Sequence, residues 1–349
     1  MRREAGPVAS AILLLVLGGA LVAVVVASAM TGQVQISPTE VIGSLLRAAG
    51  IHQEWAPHDQ IVEATLWQVR LPRVAIGLAV GAALAVSGAV MQAIFGNPLA
   101  EPGVVGVSSG AALGAALSIV IGFTALGGWG TAIMAFAGAL AATLLVFLVS
   151  RAHGRTEVVT LLLTGIAVNA FGGAGLAFLL FAGDAASREQ IIFWQLGSLN
   201  GTRWPEVATV VPIAVVGGVA AWLLGRYYDL LSLGERNARY LGVNVEALRL
   251  ASIVLVALLT GAAVAFCGII AFIGLVVPHI IRMALGPSHR PLILASAVGG
   301  GVLIVAADLL ARTLVGGAEL PIGMLTSLIG GPFFFFLLFR QRRESGGWA

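Results

Sequence analysis

The groups that could do covalent chemistry are few and scattered. Five His and one Cys stand among 349 residues. None forms the His-Glu-x-x-His, paired-aspartate or Ser/His arrangement that a bond-breaking site requires. All 19 basic residues are Arg, because the chain contains no Lys. That excludes a Schiff-base lysine. It also excludes a phosphate-binding GxxxxGK[ST] loop, whose Lys contacts the nucleotide phosphates. If ATP drives this protein, another chain hydrolyses it. Cys267 lies in an apolar run, so there is no internal disulfide, and a Cys/His metal cluster is not expected. What remains is the chemistry of binding.

The binding groups are placed at particular points. Arg70-Leu71-Pro72-Arg73 sets two guanidinium groups beside the start of an apolar run, with Pro72 suited to a first helical turn. Arg312 ends another such run, and Asp308 precedes it by one turn, which predicts an i,i+4 ion pair. Guanidinium groups at an apolar boundary either snorkel to anchor the helix or bind carboxylates of a partner. Gly96-Asn97-Pro98-Leu99-Ala100-Glu101-Pro102-Gly103 reads as a broken helix or shaped turn, with Asn97 and Glu101 able to satisfy freed backbone groups. Asn169 is a lone polar group in an apolar, Gly-rich run, suited to line a path or to bond between helices. His279 and Arg282 follow Pro278 at another boundary.

Lipid is the medium that must hold these groups. The chain is 59% hydrophobic and 10% charged, against about 25% charged in an ordinary soluble domain. Apolar segments fall near 8–30, 74–95, 106–126, 131–150, 158–182, 206–225, 250–281, 292–311 and 321–339. At about 20 residues per crossing, this predicts an all-α polytopic membrane protein forming one domain over residues 1–349. With the N-terminus in the cytoplasm and 250–281 crossing twice, turning at 267–270, 13 of 19 arginines fall inside. Only Arg47, Arg70, Arg73, Arg188, Arg203 and Arg312 fall outside. That agrees with the positive-inside rule, gives about ten spans and places both termini in the cytoplasm. The net charge of +3 is therefore a membrane feature and no sign of nucleic-acid binding.

Three non-spanning helices are expected from capping boxes. Ser37-Pro38-Thr39-Glu40 starts an external amphipathic helix over 38–49. Ser187-Arg188-Glu189-Gln190 starts a second external segment. Ser232-Leu233-Gly234-Glu235 starts a cytoplasmic helix over 233–242, open to docking by a partner. A Gly81–Gly88 segment also matches Gly261–Gly268 at an offset of 180, the kind of pattern an internal repeat leaves.

These motifs, in order over residues 35–340, resemble the FecCD family, the permease subunits of ABC importers for ferric siderophores, haem and cobalamin. The stretches are Val69 to Arg73, Gly81 to Gln92, Asn97 to Gly110, Leu233 to Val243, Gly268 to Arg282, Ala307 to Arg312 and Glu319 to Gly323. The resemblance implies a type II importer permease in the bacterial cytoplasmic membrane, a homodimer with the substrate path between its copies. It implies docking of an extracytoplasmic binding protein at Arg70, Arg73 and Arg312. It implies two ABC ATPase subunits coupled through Leu233, Gly234, Glu235, Arg236, Ala238, Arg239, Leu241 and Gly242, with ATP and Mg held on those subunits and no cofactor in this chain. The fifth and tenth spans would line the path. Met91, Gln92, Val158, Val159, Thr160, Asn169 and the external Arg188 are the path candidates. Phe193 to Leu199 resembles haem and siderophore members more than cobalamin ones. The rival is an ion-driven secondary transporter, which needs a titratable group near the bilayer midplane. Glu101, His279 and Asp308 are its candidates, and all sit near span boundaries.

Overall fold

The computed structural model describes residues 7–344 except 52–53, 124, 153–154 and 317. Arg2 and Arg3, part of the inner-side count, lie outside that range. The chain runs through α1 (Pro7–Met30), α2 (Pro38–Ala48), α3 (Gln60–Thr65), α4 (Leu71–Phe95), α5 (Val107–Val120), α6 (Gly130–Val149) and α7 (Val158–Ala182). It continues through α8 (Ala185–Leu196), α9 (Trp204–Leu231), α10 (Glu235–Tyr240), α11 (Val245–Cys267), α12 (Ile273–Leu285), α13 (His289–Thr313) and α14 (Ile322–Glu344). The only strands among the described residues are β1 (Arg151–Ala152) and β2 (Arg155–Thr156), paired antiparallel. Seven helices are long and apolar enough to cross a membrane, and α5, α12 and the start of α14 are shorter apolar ones. The 250–281 run does break after Cys267, with Gly268 at φ 69°.

Helix α4 is the axis of the bundle. Of its most apolar window 83% is buried, against 17% for α7. It packs on α13, α9, α11 and α12. Lipid gives helices no hydrophobic reason to associate, so close approach must supply the packing. Gly81 faces the backbone of Gly300 in α13, and Gly88 faces that of Gly274 in α12; a Cβ at either would overlap a carbonyl. The repeat partners of these glycines do other work: Gly261 faces the Phe136 ring, and Gly268 sits at the helix break.

Two of the three expected caps form differently. Ser37 caps α2 with the full reciprocal box: Glu40 N–H donates to Ser37 Oγ at 3.2 Å and Ser37 N–H to Glu40 Oε2 at 2.8 Å. Helix α8, in contrast, starts at Ala185, because Asp184, three residues before Ser187, caps it by accepting from the Ser187 N–H at 2.7 Å. Ser232 still belongs to the end of α9, and its hydroxyl donates back to Asp229 O at 2.6 Å. Helix α10 therefore opens at Gly234, with φ 99° and no side-chain cap.

Candidate functional site

We call the two ends of the bundle outer and inner, following the arginine distribution. At the outer end the starts of α4 and α14 meet the ends of α1 and α13. Asp308, 2% exposed, is the centre. Arg73 Nε donates to its two oxygens at 2.9 and 3.2 Å, and Arg312 Nε lies 3.3 Å from Oδ2, the i,i+4 pair the spacing predicts. Arg73 also grips Glu319, before α14, through Nη1 and Nη2 at 3.1 Å each. Arg312 donates to Thr31 O at 2.8 Å and to Ser28 O at 2.9 Å, on α1 and just beyond it. Arg70 reaches Ala29 O at 2.6 Å and also Val34 O. So Arg70, Arg73 and Arg312, expected to face a partner, are turned inward onto the chain's own acceptors. A buried carboxylate must be paired to be tolerated, and here two cations hold one. The half-exposed Glu319 carries the network toward the surface. Its part in pairing Arg73 was not read from the Glu319-Leu320-Pro321-Ile322-Gly323 motif.

The inner end joins α4, α9, α10, α11, α12 and α13. Ala238 seats α10 in the core, and Glu235 pairs with the buried Arg249 and, at 3.5 Å, with Arg239. Gly242, at φ 86°, ends the turn beyond it. Leu233, Tyr240 and Leu241 are left exposed, with Arg236 over the Tyr240 ring at 5.7 Å. The helix is thus braced on one side, and its outward side mixes these apolar residues with exposed Arg236, Asn237 and Arg239. Asp229 ties α9 to α13 by accepting from His289 N at 2.8 Å and lying 2.7 Å from its Nδ1.

The path candidates separate. Met91 is fully buried in the core and presents no surface to a path. Gln92, 3% exposed, donates to Leu275 O at 3.3 Å and accepts from Arg282 Nη2 at 3.4 Å, pinning α12 to α4. Val158 borders a cavity of about 460 Å³ at the inner end, along with Gln92, Pro98, Glu235 and Arg282. Val159 is exposed, and Thr160 Oγ1 donates to Glu157 at 3.1 Å. Arg188 is exposed on α8. Asn169 lines a second cavity and also bonds between helices: it accepts from Ser109 Oγ at 2.7 Å and donates to Gly103 O at 3.1 Å.

Helix α7 leaves Phe171, Phe178 and Phe181 exposed, and α14 leaves Leu328, Ile329 and Phe336 exposed. Asn97 does cap its own turn, accepting from Leu99 N at 2.9 Å. Glu101 does not: among the described residues its carboxylate has no partner, and burial holds it above the usual carboxylate range.

The pattern that defines the FecCD transport family matches residues 20–340. The chain belongs to that family. It is 46% identical over 286 residues to the hemin transport system permease protein HmuU of Yersinia pestis, covering 81% of this chain and 85% of that protein. It is 43% identical over 270 residues to the cobalamin import system permease protein BtuC of Halobacterium salinarum, covering 77% and 72%. Among solved structures, a metal-chelate type ABC transporter in an inward-facing conformation superposes with a TM-score of 0.82 at 31% identity, covering 94% of this chain and 99% of that one. This FecCD chain is thus a multi-pass permease component of the ABC transporters, a class that works with ATPase and binding-protein partners.

Proposed function

We propose that the chain is the translocating subunit of a binding-protein-dependent ABC importer carrying an iron complex, haem or a ferric siderophore, across a bacterial cytoplasmic membrane. The observation that carries the substrate class is the 46% identity with a hemin permease over most of both chains. Two copies would enclose the path between their sparsely buried α7 and α14 faces. Two ATPase subunits, holding ATP and Mg, would dock on the inner ends at the exposed Leu233, Tyr240 and Leu241, with Gly234, Glu235, Arg236, Ala238, Arg239 and Gly242 shaping the contact. The absence of Lys supports this division of labour, because no nucleotide loop of the Lys type exists in this chain. Both termini would lie in the cytoplasm. A binding protein would dock on the outer end over Arg70, Arg73, Arg312 and the half-exposed Glu319, whose network joins α14 to α4 and α1. Arg188 would stand exposed for an anionic cargo group, and Val158, Val159 and Thr160 would form the inner edge of the path.

A cobalamin cargo is the second reading, favoured by the 43% identity with a cobalamin permease. Competition during uptake separates the two. An importer of iron complexes transports labelled haem or ferric siderophore in the presence of excess cobalamin; inhibition by cobalamin alone reverses the assignment. The assembly is tested by co-purification with the cognate ATPase. A complex of two permeases and two ATPases is expected, and Tyr240→Asp with Leu241→Asp should abolish it. Retention of the complex by that variant would remove α10 from the contact.

A further inference from the structure

A cavity of about 480 Å³ lies between α7 and the α11–α12 break. Its walls include Glu101 before α5, Asn169 and Gly172 of α7, Gln195 of α8, Thr260 of α11, and Ile269 to Phe272 in the break. Phe272 shapes this wall at a cost. It is the one non-glycine at positive φ, 68°, among the described residues, a conformation that a bulky residue adopts only when its surroundings impose it. Its ring also abuts Gly330 of α14, where a Cβ would overlap it. The cavity therefore adjoins both helices proposed to line the path.

The polar groups of this cavity fall into two sets. Asn169 and Ser109 satisfy each other. Glu101, Ser108, Gln195 and Thr260 do not: among the described residues none of their side chains has a hydrogen-bond or ion-pair partner. Thr260 is 2% exposed, and its Oγ1 is buried without an acceptor or donor. A buried hydroxyl left without a hydrogen bond is destabilising. A carboxylate in such a place needs either a proton or a cation. No Arg or His lines the cavity, so the fold supplies no cation of its own. The remaining surface is apolar: Leu84, Leu176, Val264 and the Phe272 ring.

We propose that this cavity is a binding subsite for a protonated amine carried on an apolar frame. The Glu101 carboxylate is the charge partner, the Gln195 amide oxygen accepts a further N–H, and Thr260 lines the wall beside them. An anion finds no cation here and meets the carboxylate instead. A neutral apolar group leaves Glu101 and Gln195 unpaired. The Phe272 ring adds a face suited to a cation. The subsite's part in cargo recognition rests on the permease reading; the binding itself does not.

The test uses the whole chain in lipid nanodiscs without ATP. Fluorine NMR reads the binding of three probes of one shape: para-fluorobenzylammonium, para-fluorobenzyl alcohol and para-fluorobenzoate. The ammonium should bind at least about tenfold more tightly than the benzoate, as expected for one charge-assisted contact. Glu101→Gln should erase that preference. The variant keeps side-chain volume, so the cavity survives. Equal binding of the three probes, no binding of any, or an unchanged ammonium affinity in Glu101→Gln overturns the proposal. Such a failure leaves ATP-driven uptake untouched. Failure of the transport reading appears instead as lost uptake with the ammonium preference intact.

Discussion

At the outer end the buried charges pair within the chain: Arg73 and Arg312 share Asp308, and further N–H groups of theirs go to Glu319, Ser28 and Thr31. In the cavity beside α7, Glu101 and Thr260 have none. Both regions contain polar side chains in an apolar bundle, and each must answer the same desolvation cost. The first answers it within the chain and so serves the fold. The second leaves the answer to something that arrives. Pairing within the chain thus distinguishes these two sites in this permease, where residue type alone does not.

Stability measurements can break this contrast. Asp308→Asn leaves two buried guanidinium groups facing a neutral amide, and it should cost about 3–5 kcal/mol. Thermal unfolding in detergent should show a large drop or no folded protein; wild-type stability would mean the network is idle. Glu319→Gln touches the same Arg73 from a half-exposed position. Screening by water limits its cost to about 1 kcal/mol or less, seen as a small shift in the same melt. Thr260→Val removes a hydroxyl without a partner, so stability should hold or rise by up to about 1 kcal/mol. A clear loss would show that Thr260 is paired after all.

Glu101 adds a pH signature with a definite sign. Its native carboxyl holds a proton to higher pH than in the unfolded chain. The stability this contributes is complete below the unfolded value of about 4.3 and is lost as pH rises through the native one. Wild type should therefore lose stability relative to Glu101→Gln over that window. Parallel melting curves from acid to neutral pH would contradict it.

Much of the fold was legible because lipid imposes a simple code. The run 158–182 became α7 with the same bounds, and the break after Cys267 followed from charge placement. Local capping was less secure. Ser187 and Ser232 carry the sequence pattern of a cap, but Asp184 caps α8 first, and α9 extends past the expected end to Leu231, which leaves Ser232 as its C-terminal cap. Tertiary partners were read only where spacing reports them. Asp308 and Arg312 are one turn apart, and their pairing was plain. Glu319 lies 246 positions from Arg73, and no local pattern announces that contact. Thr260 is a single hydroxyl in an apolar helix, and only the three-dimensional cavity gives it meaning.

The central claim is that this chain moves cargo on power drawn from a separate ATPase. The direct measurement is uptake of labelled haem or ferric siderophore into proteoliposomes holding this chain, its ATPase and its binding protein. The account predicts uptake that requires ATP and persists when ion gradients are collapsed. Uptake that continues without the ATPase and stops when the proton or sodium gradient is dissipated would contradict it.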